Sequence, residues 1–269
     1  MGFDIPMSTA GAMDSSSLLS LNGGSNPTPQ QPQQPQQPSP MENYGQSVNQ
    51  TNTGNGYGYN QPPMQAQPMQ AQPRQRPVGN GVRLKKGQKF GLTGANGCKL
   101  LNLKVALGWD ILNQQCDLDS SAFMLGANGK VLGDDWFVFY GSTCSPDGSV
   151  IHSGDSDGSG EGDDEVVSVS LQKINPQVEK IVFVVTINEA LQLGLNFSMV
   201  ANAYIRIINA DTNQELARFD LTNYYSNVTS MMVGELYKRN GEWKFNPIGD
   251  GISADLLGLC ERYGVNVAD

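Results

Sequence analysis

The nine residues at 101–109, L-N-L-K-V-A-L-G-W, alternate apolar side chains with polar or small ones. An alternation with a period of two places every second side chain on the same face of a β-strand. Leu103, Val105 and Leu107 are therefore expected to face a core, while Lys104 faces away from it. This stretch predicts a half-buried strand at the centre of a β-sheet.

Several other segments of the second half of the chain show the same strand pattern, and turn signals such as Asn128-Gly129 and Asn240-Gly241 separate them. The predicted strands are Ser121–Leu125, Trp136–Tyr140, Val166–Leu171, Lys180–Ile187, Ala203–Ile208 and Leu216–Leu221, with weaker patterns at Met231–Tyr237 and Glu242–Phe245. Helical periodicity is confined to Ile252–Tyr263, before Gly264, and to a turn or two within Glu189–Leu195. Together these patterns predict an all-β fold: a two-sheet antiparallel β-sandwich with a few short peripheral helices.

Residues 1–80 differ in composition from the rest of the chain and hold 12 of its 15 prolines. With few aliphatic side chains, this low-complexity head cannot bury enough apolar surface to offset the entropy of ordering, so we expect it to be disordered. It is either a flexible spacer or a part that self-associates or binds a protein partner through Tyr44, Tyr57 and Tyr59. The predicted domain boundaries are 1–80 for the head and 81–267 for the sandwich.

The net charge of −9 lies almost entirely in the predicted sandwich, because the head has two arginines against three carboxylates. An acidic surface argues against binding a nucleic-acid polymer or an anionic lipid surface, and it favours cations. No apolar run is long enough to span a membrane, and the first residues do not have the pattern of a secretory signal. We therefore expect a cytoplasmic protein whose four cysteines are thiols.

The run D-S-D-G-S-G-E-G-D-D-E at 155–165 is the strongest candidate site. Crowded carboxylates repel one another unless a cation lies between them, and hard oxygen ligands on a glycine-rich loop suit Ca2+. The run is not an EF-hand, because position 12 is Val166 and the flanks are strand-like. A solvated acidic loop is the alternative. The predicted ligands here are Asp155, Asp157, Glu161, Asp163, Asp164 and Glu165.

Three further segments of the sequence carry polar groups where a site could form. Asp117 and Asp119 lie two residues apart, so a strand would place both side chains on one face; they are otherwise ordinary turn residues. Glu189 follows Asn188 at the end of a very apolar strand, where Asn188 is alternatively a helix N-cap. The lone His152 has no His or Cys neighbour and is a weak metal or catalytic candidate. No nucleophile or phosphate-loop motif occurs, and a hydrolase would need two of these carboxylates as acid and base.

A series of ordered motifs resembles the TerD-type tellurium-resistance and stress proteins over roughly residues 82–250. The motifs are A-L-G-W-D at 106–110, C-D-L-D-S-S-A-F at 116–123, D-W-F-V-F-Y at 135–140, D-G-S-V-I-H-S-G-D at 147–155, G-E-G-D-D-E at 160–165, K-I-V-F-V-V-T-I-N-E-A at 180–190, N-F-S-M-V-A-N-A-Y-I-R-I-I-N at 196–209 and G-E-L-Y-K-R-N-G-E-W-K-F at 234–245.

This resemblance implies a two-sheet sandwich that binds Ca2+ through acidic loops and has no established catalytic activity. By matching position, it implies Asp117, Asp119 and the 155–165 loop as ligands. The loop is one residue shorter than the common family pattern, and Asn188 stands where His is common. The head joined to such a domain is similar to a eukaryotic branch described as cyclic-AMP-binding proteins. Cyclic AMP is therefore a second expected ligand, for which Arg206 and Arg218 could supply positive charge.

Overall fold

The computed structural model describes Pro77 and residues 79–93, 97–154, 162–223 and 225–267. Residues 1–76, which make up nearly all of the predicted head, lie outside the described residues. So do three of the predicted ligands, Asp155, Asp157 and Glu161.

The described residues form two six-stranded sheets. The first sheet, in spatial order, contains β1 (Val82–Arg83), β10 (Gln214–Asp220), β9 (Val200–Asn209), β3 (Asn102–Ile111), β7 (Glu165–Ser170) and β6 (Val150–His152). The second contains β2 (Phe90–Gly91), β12 (Glu242–Ile252), β11 (Ser230–Arg239), β8 (Lys180–Ile187), β4 (Leu118–Leu125) and β5 (Phe137–Val138). All pairs are antiparallel except β1 with β10. The predicted fold class is confirmed.

The alternating pattern that predicted β3 corresponds to its burial. Leu103, Val105 and Leu107 are buried in the main core, while Asn102 and Lys104 are only partly buried. The two segments with the weakest strand patterns, Met231–Tyr237 and Glu242–Phe245, lie in the two longest strands of the second sheet, β11 and β12. These strands form a hairpin that pairs along almost its whole length. A sequence pattern of mixed polarity is therefore consistent with a strand whose outer face is only partly covered.

Strand β4 is buried along its whole length. Leu118, Ala122 and Met124 belong to the core between the sheets, whereas Phe123 and Leu125 belong to a second apolar cluster on the outer face. Because side chains alternate along a strand, Ser120 faces the other sheet and Asp119 faces outward. This alternation positions the candidate site described below.

Helix α1 (Ala190–Leu193) and helix α2 (Leu256–Tyr263) accompany two 3-10 turns, Asp134–Trp136 and Phe197–Met199. The predicted helix start at Ile252 was wrong, because Ile252 still pairs with Ser230 in the sheet. The Asp255 side chain accepts a hydrogen bond from the Gly258 backbone N–H at 2.9 Å, which caps the helix at its observed start. Within the described ranges, no helix is long and apolar enough to cross a membrane.

Candidate ion-binding site

Glu165 is the first residue of β7, and its side chain enters the interior between the two sheets, where it is only 1% exposed. Its Oε2 accepts a hydrogen bond from the Ser120 backbone N–H at 2.7 Å, which links β7 of the first sheet to β4 of the second. The same oxygen lies 3.3 Å from His152 Nε2. A buried carboxylate therefore holds the two sheets together at this end of the sandwich.

His152 completes a buried polar cluster with Ser120 and Glu165. The Ser120 hydroxyl lies 3.0 Å from His152 Nε2, and the Gly154 backbone N–H donates to His152 Nδ1 at 3.0 Å. Because Nδ1 accepts, the neutral ring carries its proton on Nε2. The serine and the glutamate both meet the same ring nitrogen, so the ring does not relay a proton between them as in a nucleophile triad. Burial of Ser120 and His152 also keeps this cluster away from solvent.

The second oxygen of Glu165, Oε1, is buried and has no hydrogen-bond partner among the described residues. An unsatisfied charged oxygen in a protein interior is costly, and the usual remedies are a proton, a donor or a cation. The acidic run ends at this residue, so further carboxylates precede it directly in the chain. Glu215 Oε1 is also buried without a partner, but Arg206 pairs with the other oxygen of that carboxylate, so Glu165 is the unpartnered carboxylate that adjoins the acidic run.

Asp163 is neutralised by an arginine of the first sheet. Arg206 donates through Nε and Nη2 to the two Asp163 oxygens at 2.8 and 2.5 Å, and the Tyr204 hydroxyl donates to Asp163 Oδ1 at 2.8 Å. Arg206 Nη1 also contacts Glu215 at 3.1 Å. Burial alone would lower the pKa of Arg206, but the hydrogen bonds and charge of Asp163, aided by Glu215, raise it. Asp163 is thus held in a bidentate ion pair.

Asp164 ties the end of the acidic run to β3. Its Oδ2 accepts from the Trp109 backbone N–H at 2.7 Å, and its own backbone N–H donates to the Leu107 carbonyl at 2.9 Å. Together with the β3–β7 pairing, these bonds fix the course of the chain into β7. The Asp164 carboxylate therefore holds the start of β7 against β3.

A second group of polar residues surrounds a small cleft between the ends of β4 and β8. Asn188 donates through its backbone N–H to the Asp117 carbonyl at 2.8 Å and through Nδ2 to Asp117 Oδ2 at 3.4 Å, while its Oδ1 is buried without a partner among the described residues. The cleft is lined by Asp119, Asn188, Glu189 and Asp255. These oxygens form a hard donor set of the kind that Ca2+ prefers.

The backbone at Glu189 is left-handed, with φ of 49°, which is uncommon for a residue with a side chain. Glu189, and not Asn188, occupies the N-cap position of α1, and it makes no side-chain capping bond. The alternative interpretation of Asn188 as a cap was therefore wrong. Strained backbone of this kind occurs often where a side chain must be aimed at a ligand.

The structure thus divides the described candidate ligands into two groups at the same end of the sandwich. Asp117, Asp119 and Glu189 lie by the cleft, and Asp163 to Glu165 lie where β7 begins. The Ser120–Glu165 bond connects them, because Ser120 follows Asp119 directly. In the described part of the chain, no three His, Cys, Asp or Glu side chains are already grouped as a metal site.

The sequence analysis did not predict that Ser120 and His152 would lie beside Glu165. The alternation in Val150-Ile151-His152 was an available signal, since it places His152 on the buried face with Val150. Nothing in the sequence indicated that the Ser120 backbone would supply a donor.

Fold and site together define an all-β sandwich protein with carboxylates concentrated at one end. Residues 81–263 match the TerD domain, and the chain belongs to that family. It is 45% identical over 191 residues to the tellurium resistance protein TerD of Serratia marcescens, with 70% of this chain and 99% of that protein covered. It is 44% identical to general stress protein 16U of Bacillus subtilis, with 69% and 98% covered. A crystal structure of a protein of unknown function, SAV2460, is 27% identical, covers 60% of this chain and 94% of its own, and superposes with a TM-score of 0.50.

Proposed function

We propose that this protein is a non-enzymatic Ca2+-binding module that acts in a stress or signalling response. The observation that carries the proposal is the buried Oε1 of Glu165, which has no hydrogen-bond partner among the described residues. A divalent cation would satisfy that oxygen and offset the mutual repulsion of the acidic run. The stress role is proposed from the names of the relatives, which are a tellurium resistance protein and a general stress protein.

The donor chemistry fits Ca2+, because the candidate ligands are carboxylate and amide oxygens. Glu165 would hold the ion together with Asp155, Asp157 and Glu161 of the loop. Asp117, Asp119, Asn188 and Glu189 would supply a second set of oxygens at the cleft. Asp163 and Asp164 already bind protein groups, so we expect them to position the loop whether or not they also touch an ion. Bound Ca2+ would supply positive charge to these oxygens and would not take part in a reaction.

The test is a calorimetric Ca2+ titration of the full chain after treatment with a chelator. Glu165→Gln removes the charge and keeps the shape of the side chain, so we expect at least a tenfold loss of affinity with the fold intact. Glu235→Gln is the control, because Glu235 is a mostly buried carboxylate that forms an ion pair with Lys180 away from this site. Asp163→Asn by itself does not test Ca2+ binding, because it also breaks the ion pair between Asp163 and Arg206.

Parent protein that takes up no Ca2+ at millimolar concentration would contradict the proposal, as would equal affinity in the Glu165→Gln and Glu235→Gln variants. The double variant Asp117→Asn/Asp119→Asn tests the cleft separately. A drop in stoichiometry would indicate a second ion there, whereas lower affinity at unchanged stoichiometry would indicate one shared site.

Cyclic AMP is the alternative ligand, and its support is the resemblance of the head-and-domain architecture. The two arginines considered for the phosphodiester are already engaged: Arg206 by Asp163 and Glu215, and Arg218 by Asp220 at 2.6 Å and the Tyr204 ring at 3.6 Å. The nucleotide would have to displace these carboxylates or be bound elsewhere. Equilibrium dialysis of the full chain with labelled cyclic AMP, with and without Ca2+, tests this. Absence of saturable binding in both conditions removes this alternative.

A metal-dependent hydrolase is the lesser alternative. It requires turnover of a phosphate or carboxylate ester that needs added Ca2+ and disappears in Asp163→Asn. Because that variant also loses the Arg206 ion pair, the melting temperature must be measured alongside. Ca2+ binding without turnover would exclude this alternative.

A further inference from the structure

The outer face of the second sheet contains a cavity of about 600 Å³ beside the C-terminal end of α2. It shares no lining residue with the carboxylate cleft. Small-molecule sites in proteins typically have volumes of about 300–1,000 Å³, so this cavity is large enough for a ligand.

The cavity has an apolar floor. Val182, Met232 and Ile248 come from β8, β11 and β12, and all three belong to or pack against the apolar cluster that α2 covers further along the sheet. Tyr263, at the end of the helix, forms part of the wall and is itself buried. A ligand here would therefore bury an apolar portion against the sheet.

The carboxylates that line the cavity are each paired with a lysine. The pairs are Glu235 with Lys180 at 2.7 Å, Glu179 with Lys238 at 3.7 Å, and Asp250 with Lys86. Arg262 also lines the cavity, with its guanidinium 5.8 Å from the centre of the Tyr263 ring. It forms no ion pair with a carboxylate of the described residues. Among the described residues, Arg262 is therefore the cation lining this cavity that no carboxylate pairs with.

Tyr237 provides a second group that lacks a partner. It lines the cavity, and its hydroxyl is buried without a hydrogen-bond partner among the described residues. A phenol hydroxyl in an apolar environment normally has a partner, so its absence favours a ligand atom that accepts a hydrogen bond. Lys180 stands directly opposite Tyr237 in the sheet register, and its charge is balanced by Glu235.

We propose that this cavity is a binding site for a small amphiphilic anion, an organic molecule with an apolar body and one carboxylate, sulfonate or phosphate group. The body would lie on Val182, Met232 and Ile248. The anionic group would be bound by the Arg262 guanidinium and the Tyr237 hydroxyl. Charge-assisted bonds of this kind are stronger than neutral ones, and they would distinguish an anion from a neutral ligand of the same shape.

The probe is anilinonaphthalene sulfonate, which has an aromatic body and one sulfonate and fluoresces in apolar surroundings. The full chain is titrated with this probe in the presence of a chelator, so that the proposed Ca2+ site is empty, and again in the presence of Ca2+. Three variants change the cavity: Ala127→Trp fills its exposed rim, Arg262→Gln removes the charge and Tyr237→Phe removes the hydroxyl. Thr212→Trp, Arg239→Gln and Tyr225→Phe are the matched controls at exposed positions.

We expect saturable binding of the probe at one site. The affinity should fall about tenfold or more in Ala127→Trp and in Arg262→Gln, because Arg262→Gln loses one charge-assisted hydrogen bond. The affinity of the control variants should be unchanged. The amide signals of Gly126 and Gly129 in the NMR spectrum of the parent should shift with the same affinity. Non-saturable binding, or cavity variants that bind as tightly as their controls, would overturn the proposal. Equal affinity with and without Ca2+ is expected, because the two sites share no residue.

Discussion

Asp163 and Arg206 form a bidentate ion pair that passes over β3 on the outer face of the first sheet. The pair can cross β3 because the strand presents the small residues Ala106 and Gly108 there, and Arg206 stands opposite Ala106 in the register. The acidic run is therefore anchored by a cation of the protein just before β7 begins. If the loop binds an ion, the end of the loop is already fixed in place by the Asp163–Arg206 ion pair.

Replacing Arg206 by Met should lower the free energy of unfolding by about 3 kcal/mol, because it leaves Asp163 and Glu215 without their common cation. The side chains concerned are mostly buried, so solvent screening offers little compensation. Urea unfolding in chelator measures the effect. Arg239→Met, at an exposed position, is the control and should change stability by less than about 0.5 kcal/mol. Similar values for the two variants would contradict the anchoring role.

A larger residue at position 108 should destabilise the fold, because a Cβ atom there would lie 2.4 Å from the Tyr204 ring. Tyr204 cannot retreat easily, since the Arg218 guanidinium stacks on its ring at 3.6 Å. Gly108→Ala should therefore cost about 1–3 kcal/mol. Gly91→Ala, whose Cβ would meet nothing within 4 Å, is the matched control. Thermal unfolding of both variants compares them, and equal melting temperatures would show that Tyr204 moves freely.

Asp147 should make stability depend on pH at the acid end. Burial would raise its pKa, but hydrogen bonds from Ser149, Ser145 and the Asn175 backbone together lower it. A lowered folded-state pKa contributes stability that is present above the unfolded value of about 3.9 and is lost as pH falls through the folded value.

Asp147→Asn should accordingly cost about 1 kcal/mol at pH 7, a modest value because the side chain is partly exposed to solvent. The difference from the parent should shrink below about pH 4. Urea unfolding at several pH values gives the curve. A difference that stays constant from pH 7 to pH 2 would show that the charge of Asp147 is immaterial.

The thiols should differ sharply in reactivity. Burial, reinforced by Asp255 and other nearby carboxylates, raises the pKa of Cys260 to about 12, and burial also raises the pKa of Cys116. The thiolate is the reactive form, so both should resist alkylation at pH 8. Cys98 and Cys144 are exposed and should react. Mass spectrometry after iodoacetamide treatment counts the modified residues, with urea-unfolded protein as the control. Fast modification of Cys260 in folded protein would be the contrary result.

The sandwich could be predicted from the sequence because its central strands bury one face or both. β3 shows one buried face through the alternation at its start, and β8 shows two buried faces through an almost unbroken apolar run. The start of β4 was missed because Asp119 and Ser120 interrupt the apolar pattern. Asp119 faces outward and Ser120 contacts His152 in the interior, so neither continues the apolar pattern that marks the rest of the strand. β1, β2 and β6 are too short for a period to be read.

The candidate site could be predicted only in part. The acidic run predicts cation binding, which stays a prediction, and in the described structure Glu165 is buried with one oxygen unpartnered. The sequence does not show that Asp163 binds Arg206 and that Asp164 binds the Trp109 backbone, because these partners are distant along the chain. Their contacts depend on the β3–β7 and β3–β9 pairings. The ligand roles of Asp155, Asp157 and Glu161 stay predictions, since these residues lie outside the described part of the chain.

The hydrogen bond between Ser120 and Glu165 has a consequence for sequence drift. The donor is the backbone N–H of residue 120 and not its side chain. A substitution that fits this buried position can therefore alter polarity without removing the bond that joins the two sheets, and proline is the one residue that lacks the group. A relative with another amino acid at this position could keep the same buried carboxylate in the same place, so a motif search that demands serine there would overlook proteins with an equivalent site.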